Sequence, residues 1–129
     1  MPAIGKRVLV VDDDQRVRAA LVALLDGTPD LAVAADVGSV AEALVAFDST
    51  APDAVLVDIL LPSRADGLGL IAQLAAYRPV VAISVDGAAR EAALAAGAST
   101  YLEKDGRPEE ILAALREVRP SSSQARSLG

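Results

Sequence analysis

The sequence predicts an α/β fold in which five short parallel strands alternate with five helices. Short runs rich in Val, Leu and Ile alternate with segments of helical periodicity, the pattern of a repeated βαβ array. The first run, at 7–12, is too apolar to alternate, as a strand covered on both faces is. Hydrophobic residues make up 53% of the chain, but they are mainly Ala, Val and Leu, with Phe47, Tyr77 and Tyr101 as its aromatics, so the core is expected to be aliphatic. At 129 residues the chain has the length of one ordinary domain.

The elements follow in order. Residues 7–12 (RVLVVD) form the first strand, and Val17, Leu21, Leu24 and Leu25 recur at helical spacing until Gly27-Thr28-Pro29 stops that helix. Residues 31–37 give the second strand. Ser39 with Glu42 three residues on is a capping-box pattern, opening a helix with Val40, Ala43, Leu44 and Phe47 on one face. The Ala51-Pro52-Asp53 turn introduces a third strand at 54–58. A loop at 63–67 leads to a helix at 68–77, with Gly67 and Gly69 read as turn residues. Residues 80–84 form the fourth strand and 87–96 a short Ala-rich helix ended by Gly97. That helix has almost only Ala to bury apart from Leu94, so it is expected to open more easily than its neighbours. Residues 99–103 form the fifth strand. The last helix starts near Pro108, with Glu109 and Glu110 first and Arg116 and Arg119 last, a charge order that suits the helix dipole. The folded domain is placed at 1–119, with 120–129 as a disordered tail or the start of a linker.

Composition narrows the chemistry. The net charge of −6 and pI near 4.5 argue against nucleic-acid binding by this domain itself, which would need a basic face. With no Cys and no His, thiolate chemistry, disulfides and imidazole catalysis are excluded. Carboxylates, Lys and hydroxyls remain. No apolar run approaches the roughly 20 residues of a membrane span, and no leader pattern opens the chain, so a cytoplasmic location without membrane association is expected.

Three predicted strands end in residues able to do chemistry: Asp12-Asp13 after the first, Asp58 on the third, Ser84 on the fourth. Lys104 follows the fifth. In open α/β sheets, ligands bind beyond the carboxyl ends of the strands, so these residues should meet in one crevice. Gathered carboxylates repel, and a hard divalent cation such as Mg²⁺, which prefers oxygen ligands, would relieve that repulsion. A carboxylate can also attack phosphorus, and phosphoryl transfer requires charge neutralisation and alignment more than an acid or base. Taken singly the residues have plainer readings. Asp12 to Asp14 fit a solvated loop and helix cap, with Asp14 assigned to capping; Ser84 fits a strand end, Lys104 a surface charge and Tyr101 a packing residue.

Together they resemble the receiver domains of two-component response regulators, over about Lys6 to Val118. Val11-Asp12-Asp13, Val57-Asp58 through Pro62, Ser84, Tyr101 and Lys104 match the family's motifs in order. The stretch at 96–105, ending Tyr-Leu-Glu-Lys-Asp, is most similar to the NarL/FixJ branch. The resemblance implies a flavodoxin-like, CheY-like sheet of order 2-1-3-4-5 with helices on both faces. It implies Asp58 as phosphoacceptor, assisted by Lys104 and Ser84, with Ser84 and Tyr101 as the switch pair. It further implies Mg²⁺ or Mn²⁺ bound by Asp13, Asp58 and the Leu60 main-chain carbonyl, with Asp12 acting through water. The implied partner is a sensor histidine kinase or phosphotransfer protein, docking on the first helix and nearby loops. A homodimer through the helix 4, strand 5 and helix 5 face is implied too, as is transcription regulation through a domain absent from this sequence. The protein would be a switch that catalyses its own phosphotransfer and slowly loses the phosphate, rather than a turnover enzyme.

The sequence departs from the family pattern in a loop at 63–67 one residue longer, a stretch from Ser84 to Lys104 about two residues shorter, and Val85 where a smaller residue is common. Val85 is expected to restrict small phosphodonors or water. Two rival readings stand beside this one. Val10-Val11-Asp12-x-Asp14 resembles the nucleophile motif of haloacid-dehalogenase phosphatases, although Arg16 fits it poorly and Asp58 is left without a role. A receiver-like interaction module that signals without phosphate is the other.

Overall fold

A computed structural model describes residues 5–85, 87–104 and 107–120. The order is β1 (Lys6–Val11), α1 (Gln15–Asp26), β2 (Leu31–Val37), α2 (Val40–Thr50), β3 (Ala54–Asp58), α3 (Arg64–Leu74), β4 (Val80–Ser84), a 3₁₀ turn (Gly87–Ala89), α4 (Arg90–Ala96), β5 (Thr100–Glu103) and α5 (Pro108–Glu117). All strands are parallel, in the order β2-β1-β3-β4-β5. Of the predicted tail at 120–129, residues 121–129 lie outside the described residues, as does Asp105 of the motif at 96–105.

Strand alternation divides the core in two. Leu9, Val11, Val55 and Val57 point to one face, where Phe47, Leu70, Ile71 and Leu74 of α2 and α3 cover them. Val8, Val10, Leu56 and Ile83 point to the other, under Leu21 and Leu25 of α1 and Ile111 and Leu115 of α5. Each of these apolar side chains contributes roughly 1.5–3 kcal/mol by leaving water. Both faces being covered explains why β3 and β4 are buried at every position and why neither alternates in sequence.

Several expectations change. The segment 63–67 is not a loop: Ser63 caps α3, its Oγ accepting from Asp66 N at 3.2 Å and donating to Asp66 Oδ2 at 2.7 Å. Gly67 and Gly69 therefore lie inside α3, and Gly67 allows close approach rather than a turn, since a Cβ there would fall 1.6 Å from the Ile59 carbonyl oxygen. The helix correspondingly ends at Leu74, ahead of Tyr77. Leu94 is 39% exposed, so α4 buries Ala93 in its place, and the turn before it buries Ala89. Arg119 falls past the end of α5. Its Nη1 still donates to the carbonyls of Arg116 (2.7 Å) and Val118 (3.0 Å), Arg116 itself lies in the last turn, and Lys6 joins them, its Nζ donating to the carbonyls of Leu115 (2.7 Å), Arg116 (3.1 Å) and Val118 (2.8 Å).

Candidate functional site

The site forms where β1, β3, β4 and β5 end. Asp12 follows the last residue of β1, and its N–H donates to Val37 O on β2 at 3.1 Å. Its Oδ1 accepts from Asp14 N at 2.9 Å, while Asp14 caps α1 by accepting from Arg16 N and Val17 N. Asp14 is therefore occupied as a helix cap, as expected, and not placed as an acid or base. Asp58 closes β3, is 4% exposed, and accepts from Leu60 N at 3.2 Å through Oδ1. Ser84 closes β4, fully buried, one residue beyond Ile83, the register partner of Asp58.

Lys104 joins these ends. Its N–H donates to Ser84 O at 2.8 Å, and its Nζ lies 2.9 Å from Asp58 Oδ2 and 3.0 Å from Asp12 Oδ2. One carboxylate oxygen from each of Asp12, Asp13 and Asp58 lies within 4.8 Å of the others, with Asp13 the exposed member. The structure thus brings Asp12, Asp13, Asp58 and Lys104 into one cluster, with Ser84 at its edge. Tyr101 stands on β5 in register with Ala82, its ring buried and its hydroxyl 3.5 Å from Glu103 Oε2. Leu60 is half-buried just past Asp58. Val85 follows Ser84 and is 66% exposed.

The electrostatics are unbalanced. Among the described residues the Lys104 ammonium pairs with two of the three clustered carboxylates, and burial holds the Asp12 carboxyl above its ordinary range even though the Asp14 N–H and Lys104 oppose that shift. Burial alone would lower the Lys104 pKa, but the hydrogen bonds and attraction of Asp58 and Asp12 outweigh it and hold the ammonium charged. Asp12 Oδ2 is buried and accepts no well-aligned hydrogen bond; the Lys104 charge is what faces it. A set of hard carboxylate oxygens, short of positive charge and open on the Asp13 side, suits a divalent cation. It can also present Asp58 to phosphorus with an ammonium in place for the incoming oxygens.

Two contributors were not foreseen. Arg18 of α1 donates from Nη1 to the Asp12 carbonyl at 2.7 Å, a contact that no sequence spacing announces. Gly67 allows α3 to close against Ile59, next to Asp58.

Comparison with known proteins agrees with this geometry. Residues 8–116 match the response regulator receiver domain family. The chain is 36% identical over 118 residues to the DNA-binding transcriptional activator DevR/DosR of Mycobacterium tuberculosis, covering 87% of this chain and 54% of that protein. It is 36% identical over 113 residues to the transcriptional regulatory protein UhpA of Escherichia coli, covering 86% of this chain and 57% of that one. The chain thus spans about half the length of the curated relatives it matches. Among solved structures, the signal receiver domain of the response regulator NarL from Mycobacterium tuberculosis superposes with a TM-score of 0.77 at 27% identity, covering 89% of this chain and 99% of that one. A response regulator from Chloroflexus aurantiacus gives 0.77 at 30% identity, covering 87% and 95%. The phosphatase reading, which left Asp58 without a role, gives way, because Asp58 stands at the centre of the cluster and the chain belongs to the response regulator receiver domain family.

Proposed function

We propose that Asp58 accepts a phosphoryl group from a sensor histidine kinase or phosphotransfer protein, and that the domain acts as a phosphate-timed switch. The observation that carries this is the Lys104 ammonium, 2.9 Å from Asp58 and 3.0 Å from Asp12, beside a third carboxylate on Asp13. An Asp58 oxygen attacks phosphorus, the P–N bond of the donor phosphohistidine breaks, and the imidazole leaves with a proton. Lys104 then pairs with a phosphoryl oxygen in place of a carboxylate oxygen, and the Ser84 hydroxyl donates to another. Asp13, Asp58 and the Leu60 carbonyl would hold Mg²⁺ or Mn²⁺, with Asp12 acting through water; the cation would supply charge neutralisation for the transferring group. Attack of water on phosphorus later releases phosphate and restores the carboxylate. Ser84 moving toward the phosphoryl group, with Tyr101 following, would reshape the face formed by α4, β5 and α5, through which the domain would dimerise.

A cleft of about 520 Å³ between α1 and α5, lined by Val17, Ala20, Leu24, Pro108, Ile111 and Lys104, supports docking of a partner helix on α1 next to the site. Relatives named as transcriptional regulators support an output in transcription, with residues 1–119 as the receiver and 120–129 as tail or linker. A cytoplasmic site of action accords with this; among the described residues no helix is long and apolar enough to cross a membrane. The phosphate-independent module is the alternative, and Mg²⁺ titration separates the two. The proposal expects saturable Mg²⁺ binding, lost in Asp13→Asn, together with uptake of phosphate from a phosphorylated kinase. Absence of both in the wild type supports the module.

A further inference from the structure

We infer that Arg18 is a positioning residue for the cation pocket, acting through the peptide that joins Asp12 to Asp13. The inference rests on the reading of Asp13 as a cation ligand. Asp12 is held at four points: its N–H by Val37 O, its Oδ1 by Asp14 N, its Oδ2 by Lys104, and its carbonyl by Arg18 Nη1 at 2.7 Å. The first three fix Asp12 alone. The fourth fixes the plane of the peptide leading into Asp13, and with it the direction in which the Asp13 side chain leaves the backbone. Among the described residues no side-chain partner holds the exposed Asp13 carboxylate, so its aim depends on that peptide.

The guanidinium is itself tightly placed. Its Nε donates to Asp36 Oδ1 on β2 at 3.1 Å, and the Arg18 side chain is only 20% exposed. It passes over Gly38, where a Cβ would come within 2.7 Å of Nη1. Asp36 and the bare Gly38 therefore form a slot that delivers Nη1 to the Asp12 carbonyl. Arg is suited to this because its planar fork donates in two directions at once, whereas Lys offers a single point charge. Groups that orient metal ligands without touching the metal commonly change affinity by about 10- to 100-fold when removed.

The test is calorimetric titration of the full chain with Mg²⁺, paired with thermal melts in its absence. Arg18→Ala is expected to weaken Mg²⁺ binding by about tenfold, with Arg18→Lys recovering part of the loss. Gly38→Ala, which crowds the guanidinium without removing it, should weaken binding in the same direction. Asp36→Asn loosens one side of that slot and should weaken Mg²⁺ binding in the same direction, by less than Arg18→Ala does, while also lowering the melting temperature. If Arg18→Ala melts earlier yet binds Mg²⁺ as the wild type does, Arg18 only staples α1 to β2 and the inference is overturned. Should Arg18→Ala not fold, Arg18→Lys and Gly38→Ala decide, and unchanged affinity in both overturns it equally. A wild type that binds no Mg²⁺, with Asp13→Asn indistinguishable from it, overturns the reading of the pocket itself, which the Arg18 variants alone cannot do.

Discussion

The two ends of the sheet treat charge in opposite ways. At the end where the strands begin, charges are matched: Lys6 collects three carbonyls from the end of α5, Arg116 forms a two-pronged pair with Asp30, and Arg7 N donates to Asp53 while its guanidinium reaches Thr50 O at 2.7 Å. At the end where the strands finish, three carboxylates cluster and, among the described residues, the Lys104 ammonium pairs with two of them. Both ends rest on the same two apolar layers, so packing does not account for the contrast. The first end holds the fold together; the second keeps an electrostatic cost that a cation and a phosphoryl group can use.

Substitutions at the two ends should therefore move stability in opposite directions. The largest effect is expected at the matched end. Lys6→Met keeps the aliphatic stem but takes the ammonium from three carbonyls at the end of α5, leaving Leu115 O without its donor and the other two to Arg119, and urea unfolding should show a loss of about 2 kcal/mol. At the unbalanced end, Asp12→Asn in Mg²⁺-free buffer should stabilise the domain by about 1 kcal/mol, since it removes a buried charge while Lys104 keeps Asp58.

The pH dependence of that pair of measurements sharpens the point. Burial raises the folded Asp12 pKa above the ordinary 3.8, so in the window above that value the folded state binds more protons than the unfolded one. Stability from this group is thus present below 3.8 and declines as pH rises through the folded pKa, and the advantage of Asp12→Asn should grow over the same window. Asp30 shows the reverse sign. Its hydrogen bonds from Arg116 depress its pKa, so its contribution is present above the ordinary carboxylate value and is lost as pH falls through the folded one. Because Asp30 is exposed, Arg116→Ala should produce the smallest change, visible chiefly in low salt.

The site end also contains the least anchored helix. The 3₁₀ turn and α4 bury Ala89 and Ala93, α4 lacks a side-chain cap, and Leu94 is left partly in water. Amide exchange across residues 88–96 should be faster than in β3 and β4; uniformly slow exchange there would remove the idea that α4 is a moving part.

What could be read from the sequence follows from the same physics. The bounds 54–58 and 80–84 come out as expected because strands buried on both faces leave continuous apolar runs closed by polar turns, and 31–37, a half-buried edge strand, does so because turn residues stand on either side of it. The start of α3 was hidden because Gly67 reads locally as a turn, whereas its use is an approach to Ile59 that only the tertiary fold creates. The sequence signal for that start is the Ser63-x-x-Asp66 cap, which the reading of 63–67 as a loop passed over. Asp12, Asp13, Asp58 and Lys104 were legible because parallel topology sends every strand end to one edge. Arg18 and Lys6 were not. Arg18 donates to a main-chain carbonyl, which has no residue type to recognise, and Lys6 serves a helix end more than a hundred positions away.

The central claim, that Asp58 is the phosphoacceptor, is tested most directly by intact-protein mass spectrometry after incubation with Mg²⁺ and a phosphorylated histidine kinase or a small acyl or amido phosphate. The account predicts a single added phosphoryl group in the wild type, absent without Mg²⁺ and absent in Asp58→Asn. A wild type left unmodified by every donor, or an Asp58→Asn variant modified as readily as the wild type, would contradict it.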